Sequence, residues 1–367
     1  MKKILIGLGA ILLTSLTACA PPPAGPPLAG PAQSIQRHDA LIINGEQIAD
    51  HNLWAQARAE GKLTLYSGYT QASESTLLNQ FEADTGIKVK QIRLTPNRLY
   101  ERIVAEYGAG KLKADIVRIS DAGFVHGLAE RGVFQSYQPT TATNLHDDVI
   151  FDGGKYYRTF DPIYTFGYNT ALVHTDAVPT SWRSLLDDRW SRKRGIAQAG
   201  AGGSALALTR FQRATLGDDY LRQYASGARV FDSIGAQLDA LARGQIDVGT
   251  VVVSAVNIAN NANAPVKFVV PDEGVTAYDY YTGVASTATN TAAAKLFLNW
   301  NLSNRGQQVF ADIGEYSVRT DVPAPTVRGV RLPDFTDPKV HRITPAESIS
   351  NATTDQRAWN AIFGYNQ

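Results

Sequence analysis

Apolar and polar residues alternate along short runs of this chain, then give way to apolar positions three and four apart. Lys62-Leu-Thr-Leu-Tyr66 alternates and reads as a strand. Ser67-Gly68-Tyr69-Thr70 interrupts it with turn residues. From Ser73 onward Leu77, Leu78, Phe81 and Ala83 recur at helical spacing, and Thr85-Gly86 closes that helix where a left-handed cap residue costs least. Ile87-Lys88-Val89 resumes as a strand. The product is a β-loop-α-β unit whose loop lies at the carboxyl end of a strand, where open α/β sheets bind ligands.

The same alternation continues. Ile48, Leu53, Trp54 and Ala57 predict a helix between Gly45 and Gly61, and Arg98 to Tyr107 predicts another, stopped by Gly108 and Gly110. Ala114 to Ile119 reads as a strand, Ser120-Asp121-Ala122-Gly123 as its carboxyl-end loop, and Phe124 to Arg131 as the following helix. Tyr156 to Asn169 is rich in strand formers and aromatic residues. Further helices are expected at Ser181 to Trp190, from Ser204 through Phe211, at Asp219 to Gly227, Gly235 to Arg243 and Ala292 to Asn301. Gly195 to Gln198, Asp247 to Val253 and Val266 to Val270 read as strands, the middle one apolar and β-branched enough for a buried centre. Such β-α alternation predicts a mostly parallel sheet. The tail from Pro333 to Gln367 is proline-rich, then weakly helical, and suggests no function.

At 367 residues the chain is long enough for two domains with substantial cores. Its 35 basic and 34 acidic residues balance, so no global field draws it to nucleic acid or to a membrane surface. Cysteine usage adds more. Cys19 is the sole cysteine, which excludes an intrachain disulfide. It follows Lys2-Lys3, an apolar run from Ile4 to Leu13, and Leu16-Thr-Ala, the features of a secretory signal too short to span a membrane. Ala20 to Gln33 is rich in proline, glycine and alanine and reads as a semi-extended tether.

Cys19 in that setting resembles a bacterial lipoprotein signal, which implies cleavage after residue 18 and lipidation of Cys19. Two segments carry a second resemblance. "LTLYSGYTQASESTLLNQFEADTGIKV" and "AAAKLFLNWNLSNRGQQVFADIGEYSVRTDV" look like the periplasmic substrate-binding proteins of ABC importers, in the branch containing the ferric-binding proteins. Trp182, Leu185, Leu186, Asp187 and Trp190, Tyr168-Asn169 and Pro271-Asp-Glu-Gly274 match in order between them. The resemblance implies a two-lobe α/β architecture of the second periplasmic-binding type, with mixed sheets, flanking helices and the ligand in the cleft. Residues 1–18 are then the signal, 19–41 the lipidated cysteine and tether, 42–160 with 272–345 the first lobe, 161–271 the second, and 346–367 a tail.

In that branch iron is held by a histidine, a glutamate and two adjacent tyrosines. Followed residue by residue, the histidine position falls on Thr70, the glutamate on Ser120 and the tyrosine pair on Ser254-Ala255, so all four ligands are missing. Thr70, Ser120 and Ser254 are neutral hydroxyls that donate and accept, and suit an oxyanion or polyol better than a bare metal. By the same resemblance, the loop Gly200 to Ser204 opens a helix and holds an anion. Backbone N–H groups at a helix N-terminus bind anions readily, and Gly202 and Gly203 admit a ligand close to the backbone; a plain tight turn is the alternative. Asp121 is read either as a grip for a ligand ammonium or as a helix cap. Tyr69 either covers the ligand or packs at the lobe edge. Ser67 completes the hydroxyl set, Thr282-Gly283 matches a small pair in the family, and Tyr168 is a candidate at the hinge.

Catalysis finds no support: Gly202-Gly-Ser-Ala-Leu206 lacks the second glycine of a nucleophile elbow, the six histidines show no metal spacing, and no P-loop is present. The expectation is a lipid-anchored, periplasmic or cell-surface, monomeric solute-binding protein. It would need no cofactor and would deliver a small phosphate- or phosphonate-bearing anion to an ABC permease. The alternatives are capture of iron or an iron chelate by a rearranged oxygen set, Asp121, Tyr280 and Tyr281, and a sensory surface lipoprotein that does not transport.

Overall fold

The computed structural model describes residues 33–365; the signal, Cys19 and most of the tether lie outside the described residues. Two sheets organise the chain. The first runs Lys88–Arg93, Lys62–Ser67, Ile116–Ile119, Tyr280–Val284, Tyr156–Phe160 and Ile150–Phe151, with the first three strands parallel and the rest antiparallel. The second runs Ala228–Phe231, Arg194–Ala197, Val248–Val252, Ile163–Asn169, Val275–Ala277 and Val340–Arg342. Val266–Val269 also pairs with Ile163–Asn169. A three-stranded sheet from Ile35 to Ala49 precedes both, so part of the stretch read as tether is strand, and the helix expected from Gly45 is a strand at Glu46–Ala49 and a helix at His51–Glu60.

Most elements form where the residue pattern places them. Helix Gln71–Thr85 buries Leu77, Leu78 and Phe81 and ends on Gly86 at φ 78°, the left-handed cap that glycine adopts without a Cβ penalty. Strand Val248–Val252 is buried throughout, as a central strand covered on both faces must be. Ser181 to Trp190 forms two single 3-10 turns instead of the expected helix, because Asp187 turns extended and caps the second turn.

Two chain segments cross between the sheets, Asp161-Pro162 and Tyr278-Asp279, and a bridge between Asp161 and Tyr316 adds a third strand of chain to the crossing. The crossing carries a charge cluster. Arg158 pairs with Asp161 and, at 2.8 Å, with Asp148; Arg342 pairs with Asp148 and, at 2.9 Å, with Asp279. Val275–Ala277 and Val340–Arg342 sit in the second sheet, whereas the sequence reading returned the chain to the first lobe at 272 and kept it there until 345. The tail holds a 19-residue helix, Pro345–Phe363, begun by a full capping box between Thr344 and Glu347. Among the described residues no helix is long and apolar enough to cross a membrane.

Candidate functional site

Four helices start at the carboxyl ends of parallel strands, and their N-termini meet where the lobes touch. From the first lobe come Gln71–Thr85 and Ala122–Glu130, and from the second Gly203–Phe211 and Val253–Asn261. Asp121 caps its helix by accepting from Phe124 N at 3.0 Å. The caps Thr70, Gly202 and Val252 give no side-chain hydrogen bond to theirs, which leaves first-turn N–H groups without a side-chain partner.

The lobes are in contact here. A Cβ on Gly203 would lie 2.2 Å from the Ser120 carbonyl oxygen, and one on Gly202 would lie 2.7 Å from Pro96. Gly202 also holds φ 147°, so glycine is required there on both counts. Between the lobes a cavity of about 20 Å³ remains, room for about one water. Ser120, Gly203, Tyr278, Asp279, Ile343 and Ser348 are among the residues that line it. This is a closed cleft.

Tyr69 is fully buried and bridges the lobes. Its hydroxyl donates to Glu315 and lies 3.1 Å from Ser254 Oγ. Its ring meets Tyr280 edge-on at 5.0 Å, and Tyr280 stacks on Phe160 and donates to the Gly68 carbonyl at 3.0 Å. Arg93, at the end of its strand, donates to the Tyr69 carbonyl at 3.0 Å and brings a positive charge to this edge. Thr70 Oγ1 and Ser120 Oγ are buried without a hydrogen-bond partner; Ser120 sits beside the Tyr280 hydroxyl without aligning to it. The Ser204 hydroxyl faces Tyr278.

Burial governs the acids. It pushes Glu315 up to about 8, against hydrogen bonds from Ser254 and Tyr69 that work the other way, and leaves Oε2 of that carboxyl unpartnered. It also raises Asp121, which Phe124 and Gly123 N–H groups partly offset. Glu315 is therefore biased toward its neutral form, which removes one negative charge from beside Tyr69 and Ser254.

The structure thus gathers Tyr69, Thr70, Ser120, Asp121, Gly202, Gly203, Ser204 and Ser254, the Ser254 hydroxyl through Tyr69. It does not gather the others. Ser67 faces inward: its hydroxyl donates to Glu74 and accepts from Tyr69 N at 3.0 Å. Thr282 accepts from Arg118 at 3.2 Å and lies 2.9 Å from Thr159 Oγ1, inside the first lobe. At Gly283 a Cβ would lie 2.6 Å from the Phe134 ring, so the glycine serves packing in that lobe. Tyr168 pairs with Val248, at the opposite end of the strand from the Tyr164–Val252 pair that leads to Ser254. Tyr280 and Tyr281 are sequence neighbours on a strand and project to opposite faces: Tyr280 reaches Gly68, while Tyr281 donates to Asp279 at 2.8 Å. They do not form a chelating pair. Glu315, Arg93, Tyr278 and Ser348 belong to the site's surroundings and were absent from the sequence reading.

A family model described as "Bacterial extracellular solute-binding protein" matches residues 111–334. Iron uptake protein A1 of Synechocystis is 23% identical over 283 residues, 71% of this chain and 77% of that protein. The substrate-binding protein of an ABC transporter from Agrobacterium tumefaciens superposes with a TM-score of 0.70 at 17% identity, over 82% of this chain and 95% of that one. AfuA of Actinobacillus pleuropneumoniae, solved with exogenous fructose-6-phosphate, gives 0.66 at 19% identity, over 83% of this chain and 99% of its own. These similarities agree with the two-lobe periplasmic-binding fold read from the sheets, and the family match settles membership: the chain belongs to the bacterial extracellular solute-binding proteins.

Proposed function

We propose that this protein captures a small anionic solute, carrying a phosphate or phosphonate group, in the cleft between its lobes and hands it to an ABC permease. One observation carries the reading. Two buried hydroxyls without partners, Thr70 Oγ1 and Ser120 Oγ, stand at the starts of two helices, and Ser120 lies against the uncapped N-terminus of Gly203–Phe211. A buried donor without a partner costs about 1–3 kcal/mol, which an oxyanion would relieve. Helix N-termini attract negative charge, and Arg93 adds a full positive charge at the cleft edge. Glu315, biased toward neutrality, opposes an anion less than an ionised acid would.

In this reading Thr70, Ser120, Ser204 and Ser254 donate or accept at the anion, Gly202 and Gly203 admit it to the backbone, and Tyr69 closes over it. The cavity left between the lobes holds about one water, so the solute is held in a form less tightly shut than this one; hinge motion at the Asp161 and Asp279 crossings gives it, and the solute stabilises that form through its higher affinity for it. Lipidated at Cys19, the protein is held at the membrane by the stretch between Cys19 and the first strand at Ile35. AfuA was solved with a sugar phosphate, and the Synechocystis relative is named for iron uptake. The missing iron ligands and the opposed tyrosines favour the first chemistry.

A thermal-shift screen against organophosphates, phosphonates and Fe(III) tests the proposal. A solute at about 100 times its Kd adds about 2.7 kcal/mol to the folded state. Shifts with phosphorylated compounds support the reading; a shift with Fe(III) alone overturns it.

A further inference from the structure

The family match ends at residue 334, yet the chain goes on to build a strand and a long helix on the face of the cleft. Both are held by the second lobe. Val340–Arg342 joins its sheet beside Val275–Ala277. Asp355, buried on the helix, pairs with Arg213 at 2.6 Å and Arg210 at 3.6 Å. Trp359 is fully buried and stacks on Phe363, and Tyr365 donates to Asp232 at 3.2 Å. A Cβ on Gly200 would lie 2.8 Å from Gln356, so the helix rests directly on the loop that opens Gly203–Phe211.

The other end of the segment reaches the first lobe. Arg342 pairs with Asp148, and helix Pro345–Phe363 packs on Ala122–Glu130 as well as on Gly203–Phe211 and Asp218–Ala225. Ile343 and Ser348 share the cavity wall with Ser120 and Ala122 of the first lobe. One helix therefore touches both sides of the closed cleft, with its fixed half, from Asp355 onward, on one side.

We propose that residues 340–365 are a strap: rooted in the second lobe and seated on the first, they limit how far the cleft opens. If the lobes part as rigid bodies, the helix must leave Ala122–Glu130, and the contacts it loses favour closure. The inference rests on the hinge reading above but not on the identity of the solute.

The test measures opening without any solute. In the full chain carrying Cys19→Ser, spin labels go on Glu101→Cys and Asp239→Cys, exposed positions in the first and second lobes. Ser348→Arg wedges the helix away from the first lobe while leaving Asp355, Trp359 and Tyr365 in place. The strap predicts a narrow interlobe distance in the parent. In the variant it predicts a longer-distance population larger by about fivefold or more. Ser348→Trp, a second wedge at the same position with the rest of the helix kept, should show the same, and serves if Ser348→Arg does not fold. Unchanged distances in a folded variant overturn the strap. Because no solute is present, failure of the solute screen leaves this result intact.

Discussion

The carbonyl of Ser120 in one lobe presses on the α-carbon of Gly203 in the other, so closely that a methyl group at 203 would lie 2.2 Å from the oxygen. Closure brings together two loops that the chain separates by more than eighty residues, and each opens a helix. The contact is a gauge of closure.

Gly203→Ala follows from it. Alanine is a good helix former and the residue lies at a helix start without positive φ, so folding stability should hold within about 0.5 kcal/mol. The closed state carries the overpacking, about 1–3 kcal/mol. Solute affinity should fall by up to about 150-fold, and the interlobe distance without solute should lengthen as the lobes part to relieve the clash, which spares the melting midpoint. A loss of stability with no change in affinity would show that the contact serves folding instead.

Ser120→Ala separates function from stability by the opposite logic. The hydroxyl has no aligned partner, so its removal should leave stability unchanged or slightly raised. If it meets the solute, affinity should drop about 2- to 12-fold, the value of one hydrogen bond. Calorimetric titration and denaturant melts of the same variant check both halves.

Glu315 sets a pH dependence. Burial raises its carboxyl from 4.5 to about 8, so between those values the folded state binds a proton that the unfolded state has lost. Its contribution to stability is present below about 4.5 and lost as pH rises through about 8. Glu315→Gln should flatten that fall, seen in urea melts of both proteins across this range. Equal slopes would mean that Glu315 is already ionised.

Arg118 is a structural charge. It is fully buried, paired with Glu74, bonded to Asn301 and lying over Phe160, Phe297 and Phe310. Arg118→Leu leaves Glu74 uncompensated and should cost about 3–5 kcal/mol in a denaturant melt. Arg118→Leu with Glu74→Leu should recover much of it.

Much of this was legible along the chain. Alternation at Lys62–Ser67, the apolar spacing through Phe81 and the cap at Gly86 point to a strand, a turn and a helix, and the turn falls at the cleft. The helix-opening loops at Ser120 and Gly202 were equally visible. What alternation does not reveal is the partner each inward hydroxyl finds. Ser67 and Thr282 look like Thr70 and Ser120 in sequence, but the first is taken up by Glu74 and the second by Arg118 and Thr159. Glu315 follows a helix stop, and nothing in the neighbouring pattern marks it as buried; Gly314 turns the chain there at φ 105°, packed against Val253 and Val327. The tail helix had one clear signal, Thr344 to Glu347, but its fully buried residues are Asp355 and Trp359, one of them charged, so the hydrophobic pattern is weak.

The central claim, that the cleft holds a phosphate-bearing anion at the start of Gly203–Phe211, is met most directly by titrating organophosphates and phosphonates into the parent protein and into Ser204→Asp. The account predicts saturable binding by the parent and its loss in the variant, where a carboxylate occupies the anion's place at the helix start. Equal affinity for the two proteins, or binding of Fe(III) with no response to any phosphorylated compound, would contradict it.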